Sequence, residues 1–230
     1  MNNNLQTPFG YAGSAVTTDS QRVLRNTYWL LALSLVPTVL GAWIGAATGV
    51  FAKMAPGMST LIFFVGAFGL MFVIEKTKNS AAGVAALLGF TFFMGLMLSR
   101  LIGYVLGFKN GSSLIMTAFG GTAAVFFTMA TLATVIKRDL SGMGKFLTVG
   151  AVVLLVAGIA NLFLHSSALM LTILVLMLGV FSAFMLYDVK RVIDGGETNY
   201  ISATLNIYLD IYNVFQSLLS LLGIFGGDRD

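Results

Sequence analysis

Seven long apolar runs, separated by short polar or Gly/Pro breaks, account for almost the whole chain. They fall near residues 27–51, 58–74, 81–106, 114–136, 146–164, 168–187 and 201–224. The breaks read KMAPGM, EKTKNS, GFKNGSS, KRDLSGMGK, HSS and KRVIDGGETNY. A helix of about 20 apolar residues crosses roughly 30 Å of hydrocarbon, so each run is a candidate span. The breaks are too short to hold a second domain. The expected fold is therefore an all-α integral membrane protein, a bundle of seven transmembrane helices over residues 26–225. Residues 1–25 are polar, lack the basic and apolar regions of a signal peptide, and are expected to form a flexible cytoplasmic tail. Residues 226–230 form a short C-terminal tail.

The last run is patterned differently from the others. In YISATLNIYLDIYNVFQSLLSLLG the polar residues Ser202, Asn206, Asp210, Asn213, Ser217 and Ser220 are spaced by 4, 4, 3, 4 and 3. At 100° per residue they fall within an arc of about 80°. A stripe of this kind should not face lipid, where each unsatisfied polar group costs several kcal/mol. It faces other helices or a water-filled path. For Asn206, Asn213, Ser217 and Ser220 the plain reading is hydrogen bonding between helices. Asp210 stands apart, because a carboxylate near mid-membrane costs about 3 kcal/mol or more and such residues mark ion or proton pathways.

Composition agrees with a membrane protein. The chain is 57% hydrophobic and 10% charged, against about 25% charged in soluble domains. Its 26 glycines suit close helix packing. With no cysteine, disulfides and thiolate metal sites are excluded. The one histidine, His165, sits in the polar break FLHSSA and reads as an interfacial loop residue. A net charge of +4, spread thinly, gives no nucleic-acid surface, and no motif points to an organic or haem cofactor.

The basic residues instead report topology. Arg22, Arg25, Lys76, Lys78, Lys137, Arg138, Lys145, Lys190 and Arg191 fall on one side of seven alternating spans, and Lys53, Arg100, Lys109 and Arg229 on the other. Lys and Arg accumulate in cytoplasmic loops, which puts the N-terminus in the cytoplasm. If the last segment re-enters instead of crossing, only Arg229 changes side.

A second carboxylate, Asp188, closes the sixth run beside Lys190 and Arg191. Hairpin arithmetic connects it to Asp210. If the reversal centres on Asn199 the two lie level; if it centres on Gly196 they miss by about 9 Å at the helical rise. Two carboxylates about 4 Å apart repel by roughly 4 kcal/mol at an effective dielectric near 20. One proton would then be shared between them, a latch that responds to pH. Fully ionised, Asp188 and Asp210 would attract Ca²⁺ transiently, although a full shell needs about 6–8 oxygens.

At these residues the chain resembles the Bax inhibitor-1 family, in its bacterial YccA-like branch. The matching stretches are VLRNTYWLLALSL, GLMF, GGTAAVFF and, most specifically, GGETNYISATLNIYLDIYNVFQSLLSLLG, together running from Val23 to Gly223. The resemblance implies a seventh helix central among the other six and a bacterial inner-membrane location. It implies two activities: a pH-sensitive calcium leak gated by aspartates at the positions of Asp188 and Asp210, or restraint of the membrane protease FtsH. Two departures stand out. Asp210 is kept, where the YccA-like branch has generally lost it. The arginine that holds the pair closed in calcium-leaking relatives is replaced by EKTK, so Lys76 or Lys78 would have to stand in, without an arginine's bidentate fork.

These features leave two readings. One is a passive cation leak, with Ser202, Asn206, Asn213 and Ser217 lining the path. The other is a membrane adaptor using the N-terminal tail as its handle. No enzymatic activity is expected. LYD at 186–188 fits one half of an intramembrane aspartyl protease motif, but IYLD at 207–210 lacks the glycines of the other half. No lysine in the last run could hold retinal.

Overall fold

In lipid every backbone N–H and C=O must be satisfied within the protein, so apolar runs of this length become helices. The computed structural model describes residues 12–51 and 53–228. They form α1 (Ala12–Thr48), α2 (Pro56–Thr77), α3 (Ala81–Leu106), α4 (Gly111–Val135), α5 (Ser141–Leu164), α6 (Ser167–Ile193) and α7 (Tyr200–Gly226). All seven are long and apolar enough to cross a membrane. The protein is an all-α, multi-pass membrane protein.

Two boundaries differ from those read in the sequence. Residues 12–25, expected within the tail, are the opening turns of the 37-residue helix α1; residues 1–11 and 229–230 lie outside the described residues. The sixth helix runs to Ile193, well past its apolar run, because its polar end is stabilised locally. Lys190 pairs with Asp194 one turn on, and the basic last turn suits the negative end of the helix dipole. Gly195, at φ 78°, then takes the left-handed conformation that lets the chain turn back. Elsewhere, Asp139 accepts bonds from the Ser141 N–H at 2.8 Å and the Ser141 hydroxyl at 2.9 Å. These bonds hold its carboxyl below the usual range. That tie at the start of α5 is present at neutral pH and is lost as the pH falls through the lowered value.

Helix α1 crosses α3 with almost no side chain between the backbones. A Cβ built on Gly41 would lie 2.2 Å from the Phe92 carbonyl oxygen, and one on Gly95 would lie 2.1 Å from that of Thr38. Only glycine permits this approach. The tight pair forms one side of a cage around α7, which also packs against α2, α4 and α6. Helix α5 reaches the bundle through α6. From Ile201 to Gly223 no residue of α7 is exposed, so the last helix is the core of the molecule. Leu87, Phe90, Met94 and Val189 of the surrounding helices are buried in one cluster with Ile207 and Tyr208 of α7. The outer helices turn apolar side chains such as Trp43, Phe72, Phe146 and Phe163 outward, as a lipid-facing surface requires.

Candidate functional site

The site is built on the hairpin of α6 and α7. Asn199 caps the start of α7: its side-chain oxygen accepts from the Ile201 and Ser202 N–H groups at 2.9 and 3.1 Å. Its amide nitrogen donates to the Lys78 carbonyl at 3.0 Å and to Asn79 Oδ1 at 2.8 Å. One side chain therefore starts the central helix and fastens it to the α2–α3 turn. Across this hairpin the two aspartates come within reach of each other.

Asp188 and Asp210 are 9% and 4% exposed, and their carboxyl groups lie within hydrogen-bonding reach of each other. Two ionised carboxylates have only acceptors, so that bond exists when one of them carries a proton. Asp210 Oδ2 is buried and has no hydrogen-bond partner among the described residues. The charges acting on Asp188 come from Arg191 and Glu197, which face each other with Arg191 Nη2 3.5 Å from Glu197 Oε2.

Lys76 and Lys78, expected as partners of the pair, are engaged elsewhere. Lys78 pairs with Glu75, and the Lys76 ammonium lies 5.5 Å from the centre of the Phe72 ring. Helices α2 and α6 are not neighbours in the bundle. The basic residue whose charge bears on Asp188 is Arg191, three residues along α6.

The polar stripe is buried or half-buried, but apart from Asp210 its bonds among the described residues do not tie helices together as expected of it. Asn213 donates to the Leu209 carbonyl and Ser217 to the Asn213 carbonyl, both at 2.7 Å and both within α7. The buried Ser202 hydroxyl has no partner among the described residues. The bonds between helices come from the opposite side of α7. Tyr208 shares a 2.9 Å hydrogen bond with the Thr38 hydroxyl and reaches the Thr91 carbonyl at 3.4 Å. Tyr212 donates to the Met94 carbonyl at 3.4 Å, and Thr204 to that of Thr27 at 3.3 Å. Thr204, Tyr208 and Tyr212 recur every four residues, a spacing that was visible in the sequence; the rings of the two tyrosines disguised the row as apolar.

A cleft of about 680 Å³ lies in the half of the bundle away from the α6–α7 turn. Its walls are α2 and α3 on one side and α5 and α6 on the other, with Leu209, Tyr212, Asn213 and Gln216 of α7 as its floor. The floor thus ends beside Asp210. Of the stripe residues only Asn213 lines this cleft, joined by Gln216 from outside the stripe. His165 is exposed at the end of α5, with Nδ1 3.1 Å from the Phe163 carbonyl oxygen. Among the described residues, no three His, Cys, Asp or Glu side chains gather as a metal site.

A seven-helix membrane bundle with a carboxyl pair locked between its last two helices is the class these features define. Residues 20–227 match the sequence family described as Inhibitor of apoptosis-promoting Bax1, and the chain belongs to this Bax inhibitor-1 family. An uncharacterized protein of Neisseria meningitidis serogroup A is 39% identical, over 95% of this chain and 97% of its own. An uncharacterized protein of Pseudomonas aeruginosa is 40% identical over 90% of each. The Escherichia coli K12 protein named Modulator of FtsH protease YccA is 38% identical, over 91% of this chain and 93% of its own.

Proposed function

We propose that the protein is a pH-sensitive passive leak for calcium or related cations in a bacterial inner membrane, with Asp188 and Asp210 as its gate. The observation that carries this reading is the meeting of two buried carboxyl groups at the inner end of the bundle. A cleft from the other side stops beside them. A shared proton bonds α6 to α7; a change in protonation alters that bond and the charge at the constriction together. Ser202 and Asn206 lie on the α6–α7 side of the gate and Asn213 and Ser217 beyond it, so the stripe would supply polar contacts once the helices part. The Lys/Arg count supports a cytoplasmic N-terminus and hence a gate at the cytoplasmic end. Catalysis has no part in this reading.

The test is calcium flux into dye-loaded proteoliposomes between pH 6 and 8. Wild type is expected to give a flux that varies with pH, and Asp210→Asn a flux that does not. An unchanged pH–flux curve in the variant would remove the pair from the gate. No flux above empty liposomes at any pH would remove the leak.

The name of the E. coli relative favours a second reading, an adaptor that engages an FtsH-type protease. The segment before the first span is the handle in this case. Deleting residues 1–18, which leaves the span from Asp19 intact, is expected to reduce co-purification with the protease. Full retention would count against the handle.

A further inference from the structure

Arg100 is a cation that no described residue neutralises. It lies on α3 inside the span, not in a loop, and no carboxylate pairs with it among the described residues. Its Nη1 donates to the Ser59 hydroxyl at 3.1 Å, which occupies one of the five guanidinium donors. A charge held in a span is costly until it reaches water or an anion. Ser59 belongs to the first turns of α2, so the bond draws the guanidinium toward the membrane surface. There it stands on the rim of the large cleft and also of a smaller cavity of about 340 Å³ between α1 and α3.

The large cleft has the dimensions of a single leaflet. On its α5 wall it runs from Ala151 to Leu162, roughly 16 Å at 1.5 Å per residue, against about 15 Å for half of the hydrocarbon. The walls are apolar, with Phe63, Met97, Leu155, Ile159 and Met177 among them. Helices α2 and α5 do not touch, which leaves the cleft open sideways to the bilayer. Its volume of about 680 Å³ falls within the roughly 300–1,000 Å³ of small-molecule sites.

We infer that this cleft binds a phospholipid, with one acyl chain between α2 and α5 and its phosphate on the Arg100 guanidinium. Arginine suits a phosphate because its planar fork can give two charge-assisted bonds to the same group. The occupant needs an anion and an apolar tail one leaflet long, and a membrane phospholipid supplies both. The site requires no ion to pass, so it stands or falls separately from the leak.

Native mass spectrometry of the detergent-purified full chain, delipidated and then mixed with dioleoyl phosphatidylglycerol, tests it. Wild type is expected to retain lipid, and Arg100→Gln to lose about tenfold in retention, the worth of a charge-assisted hydrogen bond. Arg100→Lys, which keeps the charge without the fork, is expected to fall between. Gly158→Phe fills the cleft from α5, where an added Cβ meets nothing within 4 Å, and is expected to lose retention as Arg100→Gln does. Val156→Phe, on the exposed side of the same helix, is the control and is expected to retain lipid. Gel filtration and thermal unfolding in detergent establish that each variant is folded. The inference is overturned if folded Arg100→Gln and Gly158→Phe both retain lipid at the wild-type level, or if Val156→Phe loses it equally. It is also overturned if inorganic phosphate displaces the lipid, which would make this a free-anion site. Absence of lipid from the wild type, with the cleft empty or filled by a partner's helix, overturns it as well.

Discussion

Single side chains decide the register of the functional hairpin. The sequence left the turn centre open between Gly196 and Asn199, a difference of about 9 Å in the height of the two aspartates. The structure brings the two carboxyls together, with the Asn199 amide capping α7 and holding the α2–α3 turn in the same network. Asparagine just before an apolar run is an ordinary cap signal, so half of this role was legible; the bond to Lys78 was not, because it joins residues 121 apart. Asn199→Ala is expected to lower stability by about 1–2 kcal/mol. Thermal unfolding in detergent should register this as a fall of several degrees. A variant that melts with the wild type would show that neighbouring groups hold the hairpin.

At the scale of helices, the closest approach is a matter of missing atoms. Gly41 and Gly95 let the α1 and α3 backbones meet, and no packing of larger side chains could reproduce that distance. Gly95→Val places carbon where the Thr38 carbonyl oxygen already lies, and overpacking of this kind costs about 1–3 kcal/mol or more. The Cβ of Gly89 on the same helix meets nothing within 4 Å, so Gly89→Ala is expected to be tolerated. Yield of monodisperse protein and melting temperature distinguish the two; equal behaviour would mean that α1 and α3 can separate without loss. The glycine count hinted at close packing, but which glycines take part follows from the helix pairing.

The α7 pattern teaches a related lesson. Its polar stripe was evident at 100° per residue, and the structure turns it away from lipid, with three of its residues buried and three half-buried. The opposite row, Thr204, Tyr208 and Tyr212, was hidden because the rings of its two tyrosines satisfy an apolar pattern whatever their hydroxyls do. No residue of α7 from Ile201 to Gly223 is exposed, and the row toward α1 and α3 makes bonds to those helices.

Across the whole molecule, the cage around α7 is closed at the aspartate end and open at the other. The enclosing helices are joined to the central one chiefly through α6, with the carboxyl pair at that seam. If the pair acts as a latch, spin labels on the α6 and α7 ends beside Gly195 should report a distance that changes between pH 6 and 8. The distance is expected to be constant with pH in Asp210→Asn. The same pH response in wild type and variant would place the moving seam elsewhere in the bundle.

The sequence by itself determined the membrane class, the seven helices and the singular character of the last one. Each depends on local quantities: the length of an apolar run, the charge density and the spacing of polar residues along one helix. It also marked Asp188 and Asp210 as out of place. Only the tertiary structure decided that their carboxyls meet, that the charge of Arg191 bears on Asp188 while Lys76 and Lys78 are engaged elsewhere, and that Arg100 borders a lateral cleft. Those facts turn on which helices touch. In a bundle whose runs are all apolar, hydrophobicity drives every helix into the membrane alike, and the choice of neighbours is left to glycine contacts and a few buried hydrogen bonds between distant residues.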